Sequence, residues 1–291
     1  MKISDFKTRA WQDKGKARKY QRATGSKTDL SYMLAEQYLQ ALAQFAAPGS
    51  RVLDMGCGTG VISMALADMG YEVTAVDVSN EMLDQLRGNM GTRSIELSRG
   101  DIFSLPVPDA SFDAIISRWV LPHFPQWPLA VIEAGRKLKP GGMLLFDICN
   151  AENVNLARGT GEIPASFGYT FGPAADARGF YAHVSPDQLE LVAQSAGLEL
   201  VLVRPLGFLR ANAVIASALG DRDYAEFKLE LERRFANEHV NEFVRWFEST
   251  VTPRLPLAMA TEAIVAMRKP ESSGTGRSLT EGLTAWAKRW V

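Results

Sequence analysis

The feature that most constrains this chain is a run of alternating glycines at residues 52–60, which reads Val-Leu-Asp-Met-Gly-Cys-Gly-Thr-Gly. Apolar residues flank the glycines on both sides, and those that follow recur at helical spacing, which predicts a short buried strand, a tight loop and then a helix. Because Gly56, Gly58 and Gly60 have no Cβ, a ligand can lie against their peptide planes. The first amides of the helix would point at that ligand. The sequence therefore predicts a ligand-binding loop between a strand and a helix.

The spacing of the glycines distinguishes this loop from two other classes of glycine-rich ligand-binding loop. The dinucleotide fingerprint requires a further glycine at position 61, where the chain has Val61. The phosphate-binding loop requires a Gly-Lys-Ser or Gly-Lys-Thr triplet, which does not follow. With Asp54 just before the glycines, the stretch closely resembles the first motif of the class I S-adenosylmethionine-dependent methyltransferases. The resemblance assigns five motif residues to the cofactor: Asp54, Gly56, Cys57, Gly58 and Gly60.

The resemblance also implies a fold. It is an α/β, Rossmann-like sheet of seven strands, mostly parallel with an antiparallel last strand, and with helices on both faces. S-adenosylmethionine would be the methyl donor and S-adenosylhomocysteine the product.

Composition argues against several other functions. The chain has 32 basic and 33 acidic residues, so no global field draws it to nucleic acid or an anionic membrane, and a nucleic-acid substrate is disfavoured. Two cysteines, Cys57 and Cys149, and three histidines give neither a disulfide framework nor the spacing of a metal site. No run approaches the roughly 20 apolar residues needed to span a bilayer, and no signal peptide is visible. We expect a soluble, cytoplasmic, metal-free protein; the sequence leaves its oligomeric state open.

An acidic residue ends the next predicted strand. Residues 72–76 are rich in β-branched side chains, Asp77 follows them, and Ser79 supplies the cap of the following helix. An acid at the carboxyl end of the second strand of a βαβ unit can accept hydrogen bonds from both ribose hydroxyls of a nucleoside. We therefore predict that Asp77 binds the ribose and that Val78 lies beside it in the cofactor site. The alternative is an aspartate that only caps a helix or a turn.

The resemblance implies the remaining cofactor contacts. Asp101 would accept a hydrogen bond from the adenine amino group, and the amide of Ile102 would reach a ring nitrogen. An ionised aspartate only accepts hydrogen bonds, which suits an amino group; a plain turn aspartate is the alternative. The backbone around Ser117 and Arg118, after the fourth strand, would contact the methionine amine.

A histidine follows at the expected reacting end of the cofactor. Ligands of open α/β sheets lie beyond the carboxyl ends of the strands at the switch point, where this chain has Leu121-Pro122-His123 instead of the Leu-His-His of many relatives. His123 could be the general base for an oxygen nucleophile, since the reference pKa of histidine is about 6.5. The alternative is a structural histidine. His183 and His239 are the next candidates, and a nitrogen or thiolate acceptor would need no base.

The chain is predicted to form one methyltransferase domain over residues 1–291, with additions to the core. They are, in chain order, an N-terminal helical cap (1–47), a glycine- and aromatic-rich loop (150–182), a helical insert near the C-terminus (206–260) and a C-terminal helix (279–291). The loop would either cap the substrate or pack loosely on the surface. Apolar residues at helical spacing predict one long or two shorter helices in the insert, which would form a substrate lid or a dimer surface.

The N-terminal segment is basic. Residues 1–22 contain eight Lys or Arg, which would form either a phosphate-contacting arm or a solvated face with apolar side chains turned inward. The resemblance implies that a tyrosine in such a segment closes over the cofactor, which makes Tyr20 a candidate.

Together these patterns predict an enzyme that transfers a methyl group to an oxygen or nitrogen of a small, apolar or aromatic molecule. Aromatic residues in both inserts, with Trp119 and Trp127, favour such an acceptor. Three alternatives remain. A protein could bind S-adenosylmethionine without transferring methyl; a nucleic-acid methyltransferase would usually have an Asn/Asp-Pro-Pro-aromatic tetrad, which residues 117–120 lack; and a nicotinamide dehydrogenase is contradicted by Val61.

Overall fold

The computed structural model of the chain describes residues 8–9, 30–162 and 180–271. Tyr20, the predicted C-terminal helix at 279–291 and residues 163–179 of the predicted loop lie outside the described residues.

A central sheet organises the described chain. Its strands are β1 (Arg51–Met55), β2 (Glu72–Asp77), β3 (Ile95–Arg99), β4 (Phe112–Ser117), β5 (Leu138–Asn150), β6 (His183–Val184), β7 (Glu199–Leu206) and β8 (Glu262–Arg268). Seven of them lie in the order β3-β2-β1-β4-β5-β8-β7, and the two-residue β6 pairs only with β5. The neighbours from β3 to β5 are parallel, whereas β8 is antiparallel to both β5 and β7. The predicted sheet with an antiparallel last strand is confirmed.

Helices cover both faces of the sheet. They are α1 (Leu30–Leu42), α2 (Val61–Asp68), α3 (Asn80–Asn89), α4 (Trp127–Lys137), α5 (Ala151–Thr160), α6 (Pro186–Ser195), α7 (Ala213–Leu219), α8 (Asp221–Arg234) and α9 (Glu238–Trp246). Because strand side chains alternate between faces, Val52 packs with α1, α2 and α3 on one side, while Leu53 packs with α4 and α6 on the other. Each face of β1 is therefore buried under helices.

Side-chain caps begin several of these helices. Ser79 accepts from the amide of Met82 at 3.3 Å, and Ser185 forms a reciprocal capping box with Gln188, as the sequence predicted. Asn150 accepts from the amide of Glu152 and so begins α5 inside the stretch predicted to be a loop. Residues 151–160 are therefore helical, because an asparagine cap follows β5 directly.

The insert at 206–260 contains three α-helices, whereas the sequence predicted one or two. Gly220, with φ 78°, separates α7 from α8, and the side chain of Asn237 caps α9. A short π-helix and two 3-10 turns follow before β8. Small residues of α5 and α7 pack together with Tyr224 in a separate apolar cluster. The insert therefore rests on the helix that leaves the carboxyl end of β5. No helix in the described ranges is long and apolar enough to cross a membrane.

Candidate cofactor and active site

A cavity of about 880 Å³ opens at the carboxyl ends of β1, β2 and β4. This volume includes space that is open to solvent. The predicted site residues that line it are Asp54, Gly56, Cys57, Gly58, Asp77, Val78, Asp101, Ile102, Arg118 and His123. Gly60 and Ser117 are not among the lining residues, and Tyr20 lies outside the described residues. The fold therefore brings most of the predicted residues to one place.

The glycine loop depends on conformations that favour glycine. Gly56, Gly58 and Gly60 have φ angles of 79°, 54° and 86°, all left-handed. A Cβ on Gly60 would lie 2.1 Å from Cδ1 of Leu86, so this position is required for packing against α3. Gly60 therefore has a structural role in packing against α3, and its contact with the cofactor stays a prediction.

Asp77 joins the glycine loop to the beginning of α3. Its carboxylate accepts from the amides of Gly58 and Ser79, both at 2.9 Å. Burial raises the pKa of Asp77, while these hydrogen bonds act in the opposite direction. Asp77 thus makes the turn contacts that the alternative interpretation predicted, and it also borders the cavity.

Asp54 is buried at the carboxyl end of β1. The hydroxyl of Ser63 donates to its carboxylate at 2.5 Å. Burial raises the pKa of Asp54 to about 7, against the effect of the Ser63 hydrogen bond, and the negative charge of Asp77 adds to the rise. The charge of this carboxyl group therefore changes near neutral pH.

Asp101 and Ser117 each make a hydrogen bond within the protein, and their predicted contacts to the cofactor stay predictions. Asp101 accepts from the amide of Phe103 at 3.0 Å, which is the turn contact named as its alternative, yet it also lines the cavity. The fully buried Ser117 hydroxyl donates to the carbonyl of Met55 at 2.8 Å. Its side chain therefore ties β4 to β1 and does not reach the cavity.

Three rings form a cluster beside the cofactor loop, which we call the aromatic wall: Trp119, His123 and Tyr181. The ring centroids of Trp119 and Tyr181 are 5.7 Å apart, those of His123 and Tyr181 5.1 Å, and those of Trp119 and His123 6.0 Å. Trp119 and His123 both line the cavity. The guanidinium of Arg210, from the insert, lies 5.1 Å from the Trp119 ring centroid.

The three histidines occupy different surroundings. His123 is buried in a 3-10 turn and lines the cavity. His183 is also largely buried, which lowers its pKa to about 4, and its Nδ1 lies 3.2 Å from the carbonyl oxygen of Tyr181. The His239 side chain is 90% exposed on α9. His123 is therefore the histidine that lines the cavity.

Comparison with known proteins agrees with this geometry. Residues 53–146 match the model of a methyltransferase domain family. A malonyl-[acyl-carrier protein] O-methyltransferase from Erwinia pyrifoliae is 42% identical over 115 residues, and a ubiquinone biosynthesis O-methyltransferase from Xanthomonas campestris is 39% identical over 115 residues. Residues 53–146 are thus similar to the methyltransferase domains of S-adenosylmethionine-dependent enzymes.

The similarity to these relatives is partial. The matches cover 39% and 37% of this chain, and they span 43% and 46% of the relatives' lengths. A solved structure with a TM-score of 0.57 comes from the complex between the Haloferax volcanii Trm112 methyltransferase activator and its methyltransferase partner. That structure is 19% identical in sequence, and the alignment covers 90% of this chain and 97% of the matched chain. That likeness shows the class I fold alone.

The groups around the cavity suit the cofactor of the class I family. Carboxylates of Asp54 and Asp77 can accept from an ammonium and from ribose hydroxyls, and Arg118 can pair with a carboxylate. The Thr59 hydroxyl also lines the cavity, is buried, and has no hydrogen-bond partner within the described ranges. A buried hydroxyl normally has a partner, so a ligand atom at Thr59 would satisfy it. S-adenosylmethionine therefore fits the residues present.

Sequence reasoning missed several lining residues. They include Thr8, Thr59, Met82, Val120 and Phe124. Thr59 could have been found, because it stands inside the glycine motif. Val120 and Phe124 adjoin the Leu121-Pro122-His123 stretch, whereas Thr8 and Met82 stand in segments without a motif, and only packing brings those two to the cavity. Among the described residues, no group of three His, Cys, Asp or Glu side chains could hold a metal ion.

Proposed function

We propose that the protein transfers a methyl group from S-adenosylmethionine to an oxygen or nitrogen of a small, apolar or aromatic acceptor. One observation carries the proposal. The glycine loop, Asp77, Trp119 and His123 all line the same cavity. Groups suited to a nucleoside and the aromatic rings of Trp119 and His123 thus share one cavity, which suits a reaction of two substrates.

The cofactor supplies an electrophilic methyl carbon, so the chain mainly has to bind, orient and exclude water. Asp77 would hold the ribose, and the glycine loop would support the methionine part. The acceptor atom must lie in line with the S–CH₃ bond at about 3–3.5 Å, since orientation accounts for much of the rate enhancement in such reactions. The aromatic wall would keep the acceptor in that position and water out.

His123 is proposed to take the proton from a hydroxyl acceptor. Its ring lines the cavity among apolar neighbours, and the relatives from Erwinia and Xanthomonas are O-methyltransferases by name. A hydroxyl acceptor must lose its proton during transfer, whereas a carboxylate or a neutral amine can attack without prior deprotonation. A role in oxygen methylation therefore fits this histidine best.

The helical insert is proposed to shape the acceptor site. Arg210 of the insert lies over Trp119, and the Asn153 side chain, on α5, accepts from the amide of Ala213 at 3.0 Å. These contacts attach the insert to the edge of the cavity. A lid role follows for residues 206–260.

The first test is calorimetric titration of the protein with S-adenosylhomocysteine, run beside NAD. We expect binding of S-adenosylhomocysteine alone, with a Kd of roughly micromolar order. Binding of neither molecule would contradict the cofactor assignment. Binding of NAD alone would instead favour a nicotinamide enzyme.

The second test is a screen of phenols, alcohols, carboxylic acids and amines for release of S-adenosylhomocysteine. With a hydroxyl acceptor, His123→Ala should lower turnover by about 10²-fold or more while cofactor affinity stays unchanged. Unaltered turnover would leave His123 a structural residue. Cofactor binding without product from any acceptor would favour a protein that binds S-adenosylmethionine in another role.

A further inference from the structure

Trp119 has an unusual backbone. Its φ angle is 57°, and in the described chain only Ala110, at 50°, shares a positive φ without being glycine. A bulky aromatic residue rarely adopts this conformation, so the surroundings must stabilise it. Trp119 comes two residues after β4, at the edge of the cavity. Strain at such a place points to a functional constraint on the side chain.

Asp147 supplies the stabilising contact. Both of its carboxylate oxygens lie 2.8 Å from the amide nitrogen of Trp119, which donates to them. Asp147 is 1% exposed in the middle of the sheet, on the strand beside β4. Burial raises its pKa to about 6, and the negative charge of Glu262 adds to the rise. The protein thus keeps a buried carboxyl group whose two oxygens both accept from the Trp119 amide; Tyr38 and Arg118 also act on this group and oppose the rise of its pKa.

The consequence is a fixed indole. Tyr181 lies 5.7 Å from the Trp119 ring at an interplanar angle of 33°, and the Arg210 guanidinium lies 5.1 Å from it. Arg210 is itself paired with the buried Glu262. The backbone of Trp119 is therefore held by β5, while its side chain is held by the insert and by the segment before β6.

We propose that Asp147 positions Trp119 as the specificity-determining side chain of the acceptor site, and that the acceptor is a planar aromatic molecule that packs against the aromatic wall. The inference rests on the proposed function, because the acceptor must lie next to the bound cofactor. A flat ring can meet Trp119 or His123 in an offset or edge-to-face arrangement, whereas a puckered ring cannot. Asp147 does not touch the acceptor in this scheme and acts through Trp119.

Two probes of similar size separate shape from hydrophobicity: 2-naphthol and its saturated analogue decahydro-2-naphthol. Each is titrated calorimetrically into protein that has been loaded with S-adenosylhomocysteine, at neutral pH. The saturated molecule is at least as apolar, so hydrophobic burial alone would not favour the planar one. We expect 2-naphthol to bind about fivefold more tightly, the range of an aromatic pair.

Variants assign the preference to particular residues. Trp119→Leu and Asp147→Ala should abolish it, and Asp147→Asn should largely restore it because the amide oxygen still accepts from Trp119. S-adenosylhomocysteine affinity should stay within about threefold in all of them, which also shows that they fold. Two matched controls should keep the preference: Trp246→Leu, at a tryptophan that is 54% exposed on α9, and Asp113→Ala, at an aspartate that accepts from the amide of Arg51.

The outcomes separate the two proposals. Three results would overturn the acceptor assignment and leave cofactor binding intact. They are equal binding of the two probes to the unmodified protein, binding of neither probe, and a preference for 2-naphthol that persists in Trp119→Leu. A preference that persists in Asp147→Ala would overturn the positioning role alone. Failure to bind S-adenosylhomocysteine would instead refute the proposed function. In that case the two probes, titrated into the protein alone, would still show whether the aromatic wall prefers a planar molecule.

Discussion

Replacement of Gly60 by alanine should destabilise the fold through two separable effects. The first is conformational: φ at this position is 86°, and a left-handed backbone costs a residue with a Cβ about 1–2 kcal/mol. The second is steric, because the new Cβ would lie 2.1, 2.9 and 3.0 Å from Cδ1, Cγ and Cδ2 of Leu86. Leu86 is fully buried, so its side chain cannot swing into solvent. Overpacking of this kind costs about 1–3 kcal/mol, and the sum is about 2–5 kcal/mol.

Gly49 offers a matched control. Its φ is 87°, nearly the same as that of Gly60, but nothing lies within 4 Å of a Cβ built on it. Gly49→Ala should therefore cost only the conformational part, about 1–2 kcal/mol. The difference between the two variants measures the clash with Leu86. Adding Leu86→Ala to Gly60→Ala should relieve that clash, with a favourable coupling energy of about 1–3 kcal/mol.

The assay is urea unfolding followed by far-UV circular dichroism, with free energies compared at a common m value. Gly60→Ala should also weaken S-adenosylhomocysteine binding, because a shifted helix displaces the loop, whereas Gly49→Ala should not. Equal destabilisation by the two alanines, or strictly additive effects of Gly60→Ala and Leu86→Ala, would refute the steric reasoning.

Three further predictions concern buried polar groups. Asp77→Asn leaves one of two amides, such as that of Gly58, without an acceptor, so the free energy of unfolding should fall by about 1–3 kcal/mol. Calorimetry should also show weaker cofactor binding by this variant, and an unchanged affinity would contradict the ribose role. Affinity for cationic S-adenosylmethionine should rise by up to about tenfold from pH 6 to 8 as Asp54 loses its proton. Asp54→Asn should remove this pH dependence of the affinity. If the variant keeps the dependence, Asp54 is not its source. Asn153→Ala removes the acceptor of the Ala213 amide, so hydrogen exchange in α7 should accelerate; unaltered exchange would show that this contact does not hold the insert.

The core of the fold could be predicted because its signals are local. Alternation of apolar strands and helices gave the order of elements, and the glycines marked the loop because only glycine readily takes its left-handed angles. Ser79 and Ser185 marked helix beginnings, since a cap is a contact between near neighbours in the chain. The division of the insert into three helices was harder to predict from the sequence. The boundaries between these helices depend on a glycine and an asparagine whose conformations are fixed by packing.

The glycine-loop side of the cavity could be predicted from the sequence, whereas the contacts around Trp119 could not. Gly56, Gly58 and Asp77 stand in a strand-loop-helix unit whose geometry is set by hydrogen bonds over short chain distances. In contrast, Trp119, Asp147 and Arg210 are separated by dozens of residues, and no pattern links them. Their meeting depends on the pairing of β4 with β5 and on the docking of the insert, which are settled by burial of the whole core. The sequence alone determined the sheet and the glycine loop; only tertiary packing decided which side chains surround Trp119, because nonlocal contacts leave no local signal.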